Sequence, residues 1–301
     1  MYPCAFHYHR ASSMKEAANL LSELGEEARA LAGGQSLIPL MKLRLARPVA
    51  LVDLNFVSGV SDIRKRENEI RMGALARHAE IAASDAVDAI PILHDCAAGI
   101  ADQQVRNRGT IGGSLAEADP SGDWAPVLLT LSTEVHCVGP RGERTIPLND
   151  FIVDAYTTVM ELGELVQEVR VKIPPKSSGG AYVAFKRCPS VYASASAAVQ
   201  LTMLDRNTCE DAQIQLGCVG LTAVHARNAE AELRGKAVSP RVIQSAAEAA
   251  MAAAEPQPDM RGSVAYKRVL VGALLKRAIK IALRRSRGER VGVGHEYTGR
   301  N

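Results

Sequence analysis

The chain has 301 residues, 47% of them hydrophobic, and a formal net charge of +3. That size and composition bury a sizeable core and exclude a disordered chain, and so mild a charge gives no support for nucleic-acid binding. No apolar run reaches the roughly 18 residues of a membrane span; no N-terminal stretch reads as a signal peptide; and the six scattered cysteines form no CxxC pair, so they read as reduced thiols of a cytoplasmic protein rather than ligands of zinc or an iron–sulfur cluster.

Ser13-Met14-Lys15-Glu16 is a capping-box pattern, followed by apolar Ala17, Leu20, Leu21 and Leu24 and a stop at Gly25. This predicts an amphipathic helix. Residues 28–32 read as a strand that runs into Gly33-Gly34, Ser36 as the cap of a helix over 37–45, and 49–54 as a second strand. The opening is therefore β-α-β, with a glycine turn at a strand's C-terminal end, where α/β units often bind ligands. After residue 58 the pattern predicts a hairpin (60–66 and 70–75), short helices over 76–84 and 91–101, a second Gly-Gly turn at 112–113, and a helix over 124–131. A second hairpin (133–138 and 144–148) turns at Pro140-Arg141-Gly142, and a strand covers 165–173. Pro174 to Gly180 reads as a linker. Strands over 182–187, 193–204 and 212–222 follow, then helices over 225–233, 240–254 and 263–285. The fold class is α+β: residues 1–176 form one domain with lobes at about 1–57 and 58–176. Residues 177–287 form a second domain, a three-stranded antiparallel sheet with helices, and 288–301 a flexible tail.

The two glycine turns carry the functional signal. Ala32-Gly33-Gly34-Gln35-Ser36 and Thr110-Ile111-Gly112-Gly113-Ser114 each place Ser within two residues of Gly-Gly. Such turns aim consecutive backbone N–H groups at anionic oxygens, and a facing pair suits a dinucleotide's diphosphate. Gly33 and Gly113 are expected to need both a missing Cβ and a positive φ. GxGxxG after a strand and GxxxxGK[ST] are both absent, which removes support for nicotinamide-type Rossmann and P-loop readings. The histidines form no metal-ligand spacing.

Ala32 to Leu45, with Pro48 and Asp53-Leu54 behind it, resembles the first flavin-binding motif of the FAD-binding medium subunits of molybdenum hydroxylases, the xanthine dehydrogenase and aerobic carbon monoxide dehydrogenase group. Thr110 to Asp123 resembles the second, and the likeness extends through Phe185-Lys186-Arg187, Tyr192-Ala193 and Asp259-Met260-Arg261-Gly262-Ser263 over about residues 1–285. The resemblance implies a two-lobed FAD-binding domain of the vanillyl-alcohol oxidase (PCMH) type and a small C-terminal domain. It implies that Leu31, Ala32, Gly33, Gly34, Gln35, Ser36, Leu37 and Ile38, with Thr110, Ile111, Gly112, Gly113 and Ser114, cradle the FAD diphosphate. Asp123 matches a position that binds the ribityl chain, and it also suits the N-cap of the following helix. Lys186 matches a lysine near the flavin, and Tyr192 an aromatic over one flavin face; an exposed strand lysine and a core tyrosine are the plain alternatives. Trp124 reads as core. Glu117 stands where the family often has His or Asn. Arg106, Arg108 and the basic run from Lys276 to Arg290 read by default as solvated.

The resemblance further implies an electron-transfer subunit. A large partner would hold molybdopterin, a small partner two [2Fe–2S] clusters, commonly in a dimer of heterotrimers. The alternative is a self-sufficient FAD-dependent reductase or oxidase on the same scaffold; a non-enzymatic nucleotide-binding scaffold is the third reading.

Overall fold

The computed structural model describes residues 2–292, so most of the tail expected to be flexible lies outside the described residues. The first lobe runs β1 (His7–Arg10), α1 (Met14–Leu24), β2 (Ala28–Leu31), α2 (Leu37–Lys42) and β3 (Ala50–Asp53). Its strands make a parallel sheet in the order β1-β3-β2. Arg10 and Leu31 both pair with Asp53, so all three strands end at one edge. Ala32 to Ser36 leaves from that edge. The helix α1 forms as its pattern predicts, with the Ser13 hydroxyl accepting from Glu16 N–H at 3.1 Å. β1 is new relative to the sequence reading. His7-Tyr8-His9-Arg10 is an edge strand with little burial, so it carries no apolar alternation to betray it.

The second lobe contains β4 (Ile63–Arg66), β5 (Glu69–Gly73), α3 (His78–Ala83), α4 (Pro91–Gly99), α5 (Gln103–Arg106), α6 (Ile111–Glu117) and α7 (Trp124–Leu128). It continues with β6 (Thr133–Gly139), β7 (Gly142–Pro147), α8 (Leu148–Phe151), β8 (Ile152–Asp154), β9 (Thr157–Thr158) and β10 (Leu165–Lys172). Five strands form one sheet in the order β4-β5-β10-β6-β7, while β8 and β9 pair separately. A core of Ile70, Met72, Ile92, Leu93, Ile111, Leu115, Trp124 and Phe151 lies between the sheet and the helices.

The remaining elements are β11 (Ser178–Phe185), β12 (Ala195–Met203), β13 (Cys209–Gly217), β14 (Val224–His225), α9 (Arg227–Leu233), α10 (Pro240–Ala253) and α11 (Val264–Ser286). The three long antiparallel strands appear as predicted, and β14 adds a two-residue edge. The expected linker over 174–180 is shorter than its composition implies, because Ser178, Gly179 and Gly180 already pair with β12. These glycines serve close packing. A Cβ on Gly179 would run into the Ala282 carbonyl of α11. Tyr182 and Ala198 belong to the same apolar cluster as the second lobe's core. The buried Arg285 guanidinium, far from being solvated, grips Asp95 of α4 at 2.6 and 2.9 Å. The three units therefore share one packed body.

Candidate functional site

One cleft runs between the units. Its walls carry Ala32, Gly33, Gly34, Gln35, Ser36 and Leu37 from the first lobe, Thr110, Gly113, Ser114 and Asp123 from the second, and Lys186 and Tyr192 from the C-terminal domain. Twelve of the sixteen expected residues thus meet in one place. The other four do not line it. Leu31 ends β2, Ile38 lies on α2, and Ile111 and Gly112 are buried in the second lobe.

The two glycine motifs differ in what they offer. The loop leaving β2 crosses Gly34 at φ 72 before α2 begins. Among the described residues, the N–H groups of Gly33, Gly34, Gln35, Ser36 and Leu37 find no acceptor. Buried or cleft-facing N–H groups are normally paired, so a run of open ones on a cleft wall is a preformed anion cradle. Ser36 precedes α2 but its side chain does not cap it, and the helix ends at Lys42 rather than at 45.

The second motif is not an open turn. Thr110 caps α6, and Gly112 and Gly113 form that helix's first turn. Its N–H groups are already spent: Ile111 on Ala76 O at 3.1 Å, Gly112 on Ala74 O at 2.9 Å, Gly113 on Thr110 Oγ1 at 3.2 Å and Ser114 on Thr110 O at 3.0 Å. The expectation of two equivalent nests is therefore corrected to one nest faced by a capped helix. The reason for glycine changes too. Neither Gly33 nor Gly113 has a positive φ. A Cβ on Gly33 would strike the Arg108 carbonyl and sit 2.9 Å from Gly109 Cα, and one on Gly112 would meet Ala74 O at 2.8 Å. Glycine at 33 lets the first lobe's loop lie directly on the second lobe's backbone.

Around Asp123 three side chains interlock. Asp123 is buried, and its carboxylate accepts from Tyr182 Oη–H at 2.6 Å and from Lys186 Nζ at 3.3 Å. It does not cap α7, so that alternative is overturned. Lys186 also donates to Gly99 O at 2.7 Å, where its charge meets the C-terminal end of α4. Its side chain is 10% exposed, so it is not an ordinary surface lysine. A carboxylate has about four acceptor sites, and two contacts leave Asp123 free to take hydroxyl donors from a polyol. Tyr192 is half exposed, and the Arg261 guanidinium lies 5.8 Å over its ring. Burial and the nearby Asp119 carboxylate push its phenol well above the usual tyrosine range. It stays protonated at any physiological pH. Arg261 also donates to Ser121 Oγ at 3.0 Å, tying the C-terminal domain to the loop that carries Asp123.

Sequence reasoning missed several members of the cleft. His78, Ile100, Val105 and Gly109 line it, beside Glu117, which the sequence singles out. Glu117 is held above the usual carboxylate range by burial and by Asp119. Asp119 itself makes a turn, accepting from Ser121 N–H at 2.8 Å. The Arg106 guanidinium donates to the Ile100 and Ala101 carbonyls. No spacing marks these residues in sequence, because the tertiary fold alone gathers them. Trp124 is fully buried core, as read.

The family model for the FAD binding domain in molybdopterin dehydrogenase matches residues 4–175. The chain belongs to that family. The model for the CO dehydrogenase flavoprotein C-terminal domain matches residues 157–282 of this flavoprotein. It is 39% identical to the 6-hydroxypseudooxynicotine dehydrogenase complex subunit alpha of Paenarthrobacter nicotinovorans, across 98% of this chain and all of that one. It is also 39% identical to the carbon monoxide dehydrogenase medium chain of Hydrogenophaga pseudoflava, across 94% of this chain and 98% of that one. The solved carbon monoxide dehydrogenase from that organism superposes with a TM-score of 0.91 over 95% of this chain and 99% of its own. Quinoline 2-oxidoreductase from Pseudomonas putida 86 matches with a TM-score of 0.89 at 33% identity, covering 95% of this chain and 99% of that one. Among the described residues no helix is long and apolar enough to cross a membrane, and no cluster of three metal-ligating side chains occurs.

Proposed function

We propose that this chain holds FAD in the cleft and serves as the electron-transfer subunit of a molybdenum-containing hydroxylase. The observation that carries the reading is the run of open N–H groups from Gly33 to Leu37 on the cleft wall. Those groups fit a diphosphate, and Ser36 and Ser114 add hydroxyl donors whose oxygens have no partner among the described residues. Asp123 accepts from the ribityl hydroxyls. Lys186 brings a fixed positive charge to the flavin end, and Tyr192 covers a ring face. FAD, once bound, supplies the redox chemistry between partner [2Fe–2S] clusters and an external acceptor. The chain's own residues bind it, orient it and limit solvent access.

The names of the relatives, "medium chain" and "complex subunit alpha", support an assembly of several chains. We place this chain beside a molybdopterin subunit and a [2Fe–2S] subunit, as a dimer of heterotrimers in the cytoplasm. We set its domains at 1–176 and 177–287. The test is a visible spectrum of the complex purified untagged. Flavin and iron–sulfur absorbance with two co-purifying chains is expected, with one FAD per copy of this chain. A single polypeptide that takes up no FAD on reconstitution would overturn the reading.

A further inference from the structure

His78 opens α3 at the cleft wall, 5% exposed, with its backbone N–H on Gly109 O at 3.1 Å. The Trp124 indole donates from Nε1 to His78 Nδ1 at 3.1 Å, in the buried core. An indole N–H only donates, so Nδ1 must be the lone-pair nitrogen. The ring's proton is then confined to Nε2. Burial lowers the imidazole to about 4, against the pull of Asp123 and with help from Arg77 and Arg106, so the ring is neutral. The Nε2 edge lies over Gly109, where a Cβ would stand 2.7 Å from Nε2 and 2.8 Å from Cδ2. Only glycine leaves room for the ring in this pose. Turning the ring over would break the bond to Trp124. Among the described residues nothing accepts from Nε2–H. A neutral donor with a fixed tautomer, lining a cleft and lacking a protein acceptor, is open to a ligand oxygen there.

We infer that His78 is a further cofactor-binding residue, donating Nε2–H to a diphosphate or ribityl oxygen of FAD, and that Trp124 positions it by fixing the tautomer. This rests on the FAD reading above. It adds a donor that is uncharged, so it orients an oxygen without adding to the positive charge at the cofactor. His78, Gly109 and Trp124 act together: one presents the donor, one makes space, one sets the proton.

The test uses the full chain, freed of FAD and labelled with 15N-histidine. NMR should show His78 neutral with the proton on Nε2 across about pH 5.5 to 8, and FAD should shift that nitrogen. His78→Phe keeps ring volume and loses the donor; the FAD dissociation constant should rise about tenfold, the scale of one hydrogen bond. His78→Gln, which returns an N–H at similar reach, should stay within about threefold of wild type by the same scale. Trp124→Phe should let the Nδ1–H tautomer appear and weaken FAD several-fold. An imidazolium or an Nδ1–H form in the wild type overturns the inference. So does unchanged FAD affinity in His78→Phe while the wild type binds FAD. A wild type that takes up no FAD overturns the cofactor reading itself, and this inference with it.

Discussion

Gly33 and Gly113 are expected to respond differently to the same small change. In Gly33→Ala the new methyl overlaps the Arg108 carbonyl and crowds Gly109 Cα, both main-chain atoms that no rotamer change can move. The first lobe's loop must back away from the second lobe. Overpacking of this kind costs about 1–3 kcal/mol. At about 2–4 °C per kcal/mol for a domain of this size, Tm should fall by roughly 2–12 °C. The open N–H groups move with the loop, so FAD affinity should fall as well. In Gly113→Ala the methyl meets Thr110 Oγ1 at 2.7 Å and is otherwise 3.9 Å from Ala32 Cβ. Thr110 can rotate, at the cost of a helix cap worth about 1 kcal/mol. Alanine inside a helix recovers about 0.5–1 kcal/mol over glycine. The two nearly cancel, so Tm should move by less than about 2 °C. Yet the methyl stands in the cleft, and FAD affinity should still fall about tenfold or more. Differential scanning fluorimetry of the apo chain gives the first quantity, and a titration with FAD followed by flavin fluorescence gives the second. Wild-type FAD affinity in both variants would refute the placement of the cofactor. An unchanged Tm in Gly33→Ala would refute the packing argument.

Arg285→Met removes the guanidinium from Asp95, which keeps the Tyr182 N–H at 3.1 Å, so the loss should stay below the about 3–5 kcal/mol of a fully stripped buried charge; urea unfolding should show it, and a loss below about 1 kcal/mol would mean the pair is not an essential tie. Burial alone would raise the Asp259 carboxyl, but hydrogen bonds from Lys267 and Arg261 outweigh it and hold the group at about 2. A depressed carboxyl stabilises above its unfolded value and loses that contribution as pH falls toward the folded one. The acid sensitivity it adds should therefore lie between about pH 4 and pH 2 and should vanish in Asp259→Asn. Tyr192→Ala removes a ring at the cleft mouth and should weaken FAD by about three- to tenfold, the range of one aromatic stacking contact; fluorescence titration unchanged from wild type would remove Tyr192 from the site.

Much of the fold is readable locally, where each element carries its own signals. Ser13 with Glu16, the Pro140-Arg141-Gly142 turn and the three long C-terminal strands all declare themselves in the chain. Both glycine motifs reach the same cleft, but they present different backbones to it. The motif at 32–36 keeps its N–H groups open, as its composition implies. The motif at 110–114 has the same composition, but Ala74 and Ala76, just beyond β5, take two of its donors and Thr110 takes the other two. No local pattern reports that. The same limit hides His78. Its chemistry depends on Trp124, 46 positions away, and on a glycine that is silent in sequence. Gly179-Gly180 errs in the other direction: glycines that read as a linker are strand residues, because α11 passes too close to Gly179 for a side chain while Gln200 and Ile92 crowd Gly180.

The Asp123 cluster explains why the C-terminal domain belongs to the site. The two lobes alone supply a run of open N–H groups and a buried carboxylate. Asp123 at 7% exposure needs partners, since an isolated charge there would be expelled or protonated. Tyr182 lies on β11 and Lys186 directly follows that strand. Arg285 answers Asp95 in the same way from α11. The C-terminal domain thus neutralises two carboxylates of the second lobe and, with the residues after β11, carries Tyr192 to the cleft mouth. A shift of β11 along the second lobe would unpair Asp123 and displace Tyr192 together. Cleft geometry and domain docking are one set of contacts, so a substitution at either end of it should be felt at the other.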